Sequence, residues 1–181
     1  MITRRERDEA IAYAWELCQR TGLPLRPEER AKIEVADMGL SELQQSGLMI
    51  LTLLATQEIA VKLIALYPWQ ACPQHRHPRV GDYPGKEEIF RGLWGECYAY
   101  VPGEPTPNPR ARPPEHRRPY YTVWHEVGLA PGVQHYSPTN DWHWFQAGPQ
   151  GAVIWSFSSR PSDYEDDFTD PAVRRRTVVV D

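Results

Sequence analysis

Short apolar runs, rich in β-branched and aromatic residues, follow one another along most of this chain. They read KIEVADMGL, GLMILTLLA, EIAVKLIALY, EEIFRGLWGECYAYV, YYTVWHEVGLA, WHWFQA and GAVIWSFSS. Glycine, proline or asparagine bounds the runs, and these residues commonly end strands. Many short strands separated by turns predict a mainly β fold that packs as a sandwich or closes as a barrel.

The N-terminal segment departs from this pattern. Thr3 followed by Glu6 has the spacing of a capping box, which predicts a helix that runs to Arg20 and ends before Gly22. Charged residues stand where a signal peptide needs an apolar core, so we expect no export. The longest apolar stretch, residues 47–55, is too short to cross a bilayer.

Length and charge limit the number of domains and the class of partner. The chain has 181 residues, 41% of them hydrophobic, which is enough for one core. We therefore expect one domain, with a helical arm and lead-in strand over residues 1–46, a barrel over 47–160, and an acidic tail over 161–181 that packs on it. The net charge of −4 argues against nucleic acid, and no segment suggests a membrane partner. Three scattered cysteines suit the reducing cytoplasm.

One stretch, VPGEPTPNPRARPPEHRRPYY, is rich in proline and arginine. Proline cannot donate to a sheet ladder, so the stretch is predicted to form an extended surface loop. Its arginines can grip a phosphate or an acidic partner, but a solvated connection is the interpretation that we favour.

Histidines and a glutamate form the main candidate site. His75 and His77 are two positions apart, so in a strand they face the same side, and the turn-rich loop PRVGDYPG then brings Glu88 back beside them. His143 in NDWHWF supplies a third imidazole. This set suits Mn²⁺, Fe²⁺, Co²⁺, Ni²⁺ or Zn²⁺. The alternative is that His-x-His lies on an exposed strand or loop and binds no metal.

Two motifs in the chain resemble those of the cupin superfamily. The first ends in a glutamate and a glycine separated by six residues, as Glu88 and Gly95 are. The second is GVQHYSPTNDWH, ending at His143, in which Asn140 replaces an inner glycine of the superfamily pattern. This departure is mild, because asparagine is, after glycine, the residue that best tolerates the left-handed backbone of a tight turn.

Two further departures from the general cupin pattern point to one family. The interval between His77 and Glu88 is long, and Ala147 stands where an asparagine is usual. The segments CPQHRHPRVGDYPGKEEIFRGLWGECYAYVPGE, TVWHEVGLAPG, NDWHWFQAGPQGAV and FTDP together resemble the D-lyxose isomerase family. The resemblance spans most of the chain.

The resemblance implies a fold, a metal and a reaction. The fold would be a cupin barrel, a double-stranded β-helix or jelly roll, and the assembly a homodimer. The preferred ion would be Mn²⁺, with Co²⁺, Fe²⁺, Ni²⁺ or Zn²⁺ as substitutes. The sugar substrate would be D-lyxose, interconverted with D-xylulose, or D-mannose, interconverted with D-fructose, through a metal-stabilised enediol. The metal ligands would be His75, His77, Glu88 and His143.

Other residues are candidates for catalysis. Lys86 shares the strand face of Glu88, where it can help open the sugar ring or hold the carbonyl oxygen, with its pKa lowered by the neighbouring cation. Asp163 and Asp166, in the acidic run SDYEDDFTDP, are candidates for the catalytic base or for a lid, although most acidic runs are only solvated.

Three residues are candidates for contacts with the substrate. Phe90 and Phe145 have the same strand parity as Glu88 and His143, so we expect them to form apolar walls of the pocket. Glu126 lies in a strand that is expected to line the barrel, although the alternation in TVWHEV can equally bury Trp124 together with Glu126 or expose both.

Other functions are compatible with a cupin site, because the fold does not dictate the chemistry. A metal-dependent phosphosugar isomerase would use the arginines of the proline-rich stretch, and an Fe²⁺ dioxygenase would bind O₂ at the metal. A sugar-binding cupin without activity is the third alternative. Lys86 beside an intact set of ligands argues against that last one.

Overall fold

The computed structural model describes residues 1–161 and 163–181; Ser162, the first residue of the acidic run, lies outside the described residues. One long helix, α1 (Arg4–Arg20), precedes a mainly β chain. The strands, in chain order, are β1 (Ile2–Thr3), β2 (Ile33–Ala36), β3 (Leu48–Ala55), β4 (Ile59–Leu66), β5 (Ala71–Arg76), β6 (Glu88–Val101), β7 (His125–Gly128), β8 (Gln134–Ser137), β9 (His143–Ser159), β10 (Asp167–Phe168) and β11 (Val179–Val180). Short 3₁₀ helices cover Pro27–Lys32, Glu115–Tyr120 and Asp163–Glu165.

The predicted start of helix α1 is confirmed. The Thr3 hydroxyl accepts from the Glu6 backbone N–H at 3.2 Å, and the Thr3 backbone N–H donates to the Glu6 carboxylate at 2.7 Å. These two bonds satisfy amide donors that a helix N-terminus leaves unpaired. One face of the helix is buried against the outer surface of the sheet, through Ala10, Ala14 and Leu17. In the described part of the chain, no helix is long and apolar enough to cross a membrane.

Strand β9 organises the sheet because it pairs with three other strands. Its first part pairs with β5, its last part pairs with β4, and β6 runs antiparallel along most of its length. The main path runs β10-β5-β9-β4-β3-β2, with β7 and β8 paired to β6. One long strand shared between neighbours on both sides curls the sheet into an antiparallel half-barrel. The runs WHWFQA and GAVIWSFSS, which the sequence suggests as separate strands, are thus parts of one strand.

Alternating side chains divide the apolar residues between two faces of the curled sheet. The inner face includes Ile50, Ile64, Phe90, Phe145 and Ile154. The outer face packs under helix α1. The prediction of a mainly β fold with an N-terminal helix is therefore confirmed.

Turn residues in the two motifs have the expected backbone. Asn140 has φ +65°, the left-handed conformation that asparagine tolerates. Gly95 has φ +69°, and a Cβ there would lie 2.3 Å from the carbonyl oxygen of Gly151. A side chain at Gly95 would therefore collide with backbone, which explains why glycine occupies that position.

The proline-rich stretch is held by ion pairs and includes a short 3₁₀ helix. The Arg117 guanidinium contacts the carboxylates of Glu42 and, at 2.7 Å, Asp170. Arg110 contacts Glu126 at 2.7 Å, and Arg112 lies over the ring of Trp69. These arginines therefore serve contacts within the chain.

Candidate metal centre

Three buried imidazoles meet inside the curled sheet. His75 is the second-last residue of strand β5, and His77 follows that strand. His143 is the first residue of strand β9 and pairs directly opposite His75. One ligand atom from each lies within 4.8 Å of the others. Their exposed fractions are 6%, 2% and 1%, so the cluster is shielded from bulk water. The sheet thus brings together the two histidines of the His-x-His pair and His143 of the second motif.

Each histidine is oriented through its Nδ1 atom. The Nδ1 atoms of His75 and His143 donate to the carbonyl oxygens of Pro73 at 2.9 Å and Asp141 at 3.0 Å. A carbonyl oxygen only accepts, so Nε2 of both rings carries the lone pair. The His77 Nδ1 instead faces the Asp166 carboxylate at 2.6 Å. All three rings therefore reserve Nε2 for another partner.

The free ring nitrogens fit a cation. The Nε2 atom of His143 is buried and has no hydrogen-bond partner among residues 1–161 and 163–181. The Nε2 atom of His77 lies 3.0 Å from Oε2 of Glu88, so this pair needs either a proton on Nε2 or a cation that both atoms bind. A buried lone pair without a partner is costly, and a divalent metal removes that cost. The donor set of imidazoles and one carboxylate suits such a metal.

The charge states of His75, His143 and Glu88 also favour a metal. Burial, together with the neighbouring imidazoles, lowers the pKa of His75 to about 3, and burial and His77 lower that of His143 to about 3. Burial opposes ionisation of Glu88, but Lys86 and the hydrogen bond from His77 hold the pKa of Glu88 well below its ordinary value. Neutral imidazoles and an ionised carboxylate are the forms that bind metals.

A second cluster of charges lies beside the histidines. The Lys86 ammonium donates to Oδ1 of Asp163 at 2.8 Å and lies 3.8 Å from Oε2 of Glu88. The other Asp163 oxygen accepts from Lys62, and the Arg175 guanidinium lies 3.7 Å away. Burial lowers the pKa of Lys86, but Glu88 and Asp163 raise it more, so the net shift is upward. The upward shift comes from the surrounding carboxylates alone, so the lowering of the Lys86 pKa by a bound metal cation stays a prediction.

A cavity adjoins these groups. Lys62, Lys86, Asp163 and Arg175 line one side, and Phe90 and Phe145 line another. The two phenylalanine rings are 5.3 Å apart, centroid to centroid, and Phe90 lies 5.7 Å from the ring of His143. The cavity therefore joins charged donors to an apolar wall, which is a typical arrangement for a small polar ligand.

The structure does not bring every candidate into this cavity. Glu126 pairs with Tyr100 across strands β6 and β7, accepts from the Tyr100 hydroxyl and from Arg110, and belongs to the far side of the sheet. The alternation in TVWHEV fits either face of the sheet, so the sequence does not decide which face Glu126 occupies. The pairing of the strands decides it. Asp166 lines the cavity, but its Oδ1 is directed at His77.

Sequence reasoning missed three polar residues that line the cavity. Lys62 had a signal, because it is the single charged residue in the strand IAVKLIAL and shares the parity of the buried Ile64. Ser156 donates to Oε1 of Glu88 from strand β9. Arg175 lies between two other arginines, and nothing in the sequence distinguishes it from them.

Comparisons with known proteins give one consistent result. No model of a known protein family matches the chain. The chain is 47% identical to a D-lyxose ketol-isomerase of Thermofilum sp. (strain ex4484_79), over 99% of this chain and 100% of that protein. It is 43% identical to a D-lyxose/D-mannose isomerase of Thermosediminibacter oceani, over the whole of both chains.

Solved structures with a similar fold are more distant in sequence. An L-ribose isomerase of Acinetobacter sp. DL28 matches with a TM-score of 0.80 at 18% identity, over 99% of this chain and 98% of that one. An L-ribose isomerase of Cellulomonas parahominis matches with a TM-score of 0.81 at 19% identity, with the same coverage. At such identities the likeness concerns the fold alone.

Proposed function

The chain belongs to the D-lyxose ketol-isomerase family, and on that premise we propose that it interconverts D-lyxose with D-xylulose and D-mannose with D-fructose. The observation that carries the proposal is the full-length identity of 47% and 43% to isomerases of these sugars. The two aldoses share their configuration at the reacting carbons, so one site accommodates both.

We propose that Nε2 of the three histidines and the Glu88 carboxylate hold a divalent metal, preferably Mn²⁺. The unpartnered Nε2 of His143 and the close approach of His77 to Glu88 support this assignment. When bound, the metal neutralises negative charge that develops on the sugar oxygens at C1 and C2. Co²⁺, Fe²⁺, Ni²⁺ and Zn²⁺ suit the same donors, since imidazole and carboxylate do not select strongly among them.

Lys86 and Asp163 are our candidates for the residues that act on the sugar directly. Isomerisation transfers a proton between C1 and C2 through an enediol. The Lys86 ammonium, buried and 3.8 Å from Glu88, is placed to donate to a sugar oxygen beside the metal centre. Asp163 is the candidate carrier of the carbon-bound proton, because its carboxylate lines the cavity and faces no histidine. Lys86 and Lys62 hold the pKa of Asp163 below its ordinary value, which keeps it deprotonated.

Phe90 and Phe145 are proposed to bind the apolar side of the sugar. Both are 2% exposed and line the cavity beside the histidines. Their apolar surface favours the face of a sugar that carries C–H groups, and it orients the hydroxyls towards Lys62, Lys86 and Arg175.

The alternative functions have less support. A phosphosugar isomerase was conceivable because of the arginines in the proline-rich stretch, but Arg110 and Arg117 are paired with carboxylates of this chain. A dioxygenase or a sugar-binding protein without activity is disfavoured by the full-length identity to ketol-isomerases.

We further propose that the protein forms a homodimer. We also propose that it is located in the cytoplasm, a reducing compartment. Apolar side chains that remain exposed on the outside of the sheet offer a surface for a second copy, among them Leu54, Ile59 and Tyr136. Cys18, Cys72 and Cys97 are buried and unpaired in the described part of the chain, which suits a reducing environment.

Ketose formation with a defined metal tests the proposal. The protein is stripped with a chelator, reloaded with Mn²⁺, and incubated with D-lyxose, D-mannose or the corresponding phosphorylated sugar. We expect D-xylulose and D-fructose only after reloading. Failure to form ketose after reloading with Mn²⁺, Co²⁺, Fe²⁺, Ni²⁺ or Zn²⁺, or oxygen consumption in place of ketose, would overturn the assignment. A strong preference for the phosphorylated sugar would instead indicate a phosphosugar isomerase.

A further inference from the structure

We propose that Asp166 is a positioning residue for the metal centre, which fixes the tautomer and orientation of His77 and does not itself transfer protons to the sugar. This inference rests on the proposed metal site. It assigns a task to one carboxylate of an acidic run that composition alone marks as solvated surface.

The contact between Asp166 and His77 is short and buried. Oδ1 of Asp166 lies 2.6 Å from Nδ1 of His77, and the two side chains are 7% and 2% exposed. His75 and His143 are oriented by carbonyl oxygens close to them in sequence, two positions away in each case. His77 is oriented by a carboxylate 89 positions away. It is therefore the one histidine of the triad whose orientation depends on tertiary structure.

Neighbouring contacts fix Asp166 relative to the ligands. Strand β10 pairs with strand β5, with Phe168 opposite His75 and Asp167 opposite Arg76. The Asp167 carboxylate also accepts from the Arg76 guanidinium at 2.9 Å. The backbone that carries Asp166 is thus in register with the backbone that carries two of the histidines.

The geometry explains what the carboxylate contributes. With Nδ1 of His77 bonded to Asp166, Nε2 of His77 faces Oε2 of Glu88, within the cluster that His75 and His143 complete. A carboxylate on the distal nitrogen of a ligand histidine fixes the ring and increases its basicity as a ligand. The contact of Oδ1 with His77 therefore assigns Asp166 to orienting that ring.

Metal affinity is the readout that separates the two roles. Metal-free protein is titrated with MnCl₂ by calorimetry, and the dissociation constant is compared for the native chain, Asp166→Ala and Asp166→Asn. We expect Asp166→Ala to weaken Mn²⁺ binding by roughly 10- to 100-fold, the range typical of such outer partners. Asp166→Asn retains an acceptor for Nδ1 without the charge, so we expect a smaller loss.

Asp167→Asn serves as the matched control, because it changes the adjacent carboxylate, which pairs with Arg76 and faces no histidine. We expect its Mn²⁺ affinity to equal that of the native chain. Thermal unfolding without metal identifies any variant that has lost its fold, and if Asp166→Ala does so, the near-isosteric Asp166→Asn decides.

The outcomes distinguish this inference from the proposed function. Native protein that binds Mn²⁺, with unchanged affinity in both Asp166 variants, would overturn the positioning role and leave the metal site intact. Unchanged affinity together with a large loss of kcat in Asp166→Asn would instead make Asp166 a catalytic residue. If the native chain binds no metal, the proposed site and this inference fail together.

Discussion

Lys86 and Asp163 are 77 positions apart in the chain, yet the lysine ammonium donates to the aspartate carboxylate at 2.8 Å inside the cavity. The same ammonium lies 3.8 Å from Glu88. The pair therefore links the candidate metal centre to the segment that follows strand β9. A buried ammonium is tolerated here because carboxylates surround it.

Replacing Lys86 by alanine is expected to separate catalysis from metal binding. Loss of the ammonium removes a donor to the sugar oxygens, so kcat should fall by at least about 100-fold, as for other positioned proton donors. Mn²⁺ content, measured by elemental analysis, should stay at the native level. Lys32→Ala is the control, because Lys32 is exposed on a surface 3₁₀ helix. Native turnover in Lys86→Ala would remove Lys86 from the mechanism.

Replacing Glu88 by glutamine is expected to reduce metal binding and activity together. The amide keeps the shape of the side chain but removes the one carboxylate of the proposed ligand set, so Mn²⁺ affinity should fall roughly 10-fold or more. Glu87→Gln is the matched control: Glu87 is exposed, and its carboxylate accepts from Tyr136 outside the cavity. Full Mn²⁺ affinity in Glu88→Gln would exclude Glu88 as a ligand.

A methyl group at Gly85 is expected to disturb His77. Gly85 has φ +109°, and a Cβ there would lie 2.4 Å from the carbonyl oxygen of His77. Backbone must move to relieve that overlap, so Gly85→Ala should destabilise the fold by about 2 kcal/mol or more and weaken Mn²⁺ binding.

Gly81→Ala provides the comparison for Gly85→Ala. Gly81 also has a positive φ, +58°, but nothing lies within 4 Å of a Cβ built there. Gly81→Ala should therefore lose only about 1 kcal/mol of unfolding free energy, measured with urea, from backbone strain. Its metal affinity should equal that of the native chain. Equal metal affinity in the two variants would show that the contact of Gly85 with His77 is unimportant for the site.

Glu42 is expected to make stability depend on pH, away from the metal centre. Burial raises its pKa, but hydrogen bonds from Arg117, Ser46 and His116 lower it more, so the folded-state pKa lies below the unfolded value. Its stabilisation is therefore fully present above the unfolded pKa of about 4.3 and is lost as the pH falls through the folded pKa.

The difference in unfolding free energy between the native chain and Glu42→Gln measures this effect. We expect about 1 kcal/mol in favour of the native chain at neutral pH, decreasing towards zero in acid. Urea unfolding of metal-free protein at several pH values gives the comparison, with the exposed Glu28→Gln as control. A difference that is independent of pH would mean that the charge of Glu42 contributes nothing.

The secondary structure was largely predictable because local signals agree with the fold. The capping box starts helix α1 at the expected residue, and the apolar runs correspond to β2, β3, β4 and β6. Lengths were less predictable: Gly148 and Pro149 suggest a break, yet strand β9 continues through them. The pairing of β6 with β9 is found on both sides of this point, at Ala147 and again at Ala152, and carries the strand through the weak local propensity.

The candidate ligands were predictable because period and motif fix their directions. His75 precedes His77 by two positions, so both face the same side of a strand. The second motif places His143 after a left-handed turn at Asn140. Lys62 and Arg175 were not identified as site residues. Lys62 lies in a strand and Arg175 lies among other arginines, and the surroundings of such charged side chains are decided only when the strands pair.

By itself the sequence determined the mainly β architecture, the capped helix and the identity of the histidines, because these depend on local periodicity and turn chemistry. Tertiary structure alone decided which acidic side chains serve the site: it brought Asp166 to His77, placed Asp163 between Lys62 and Lys86, and left Glu126 on the far side of the sheet. The physical reason is that a carboxylate is stable in solvent or beside any buried cation, and only the register of paired strands determines which of these it meets.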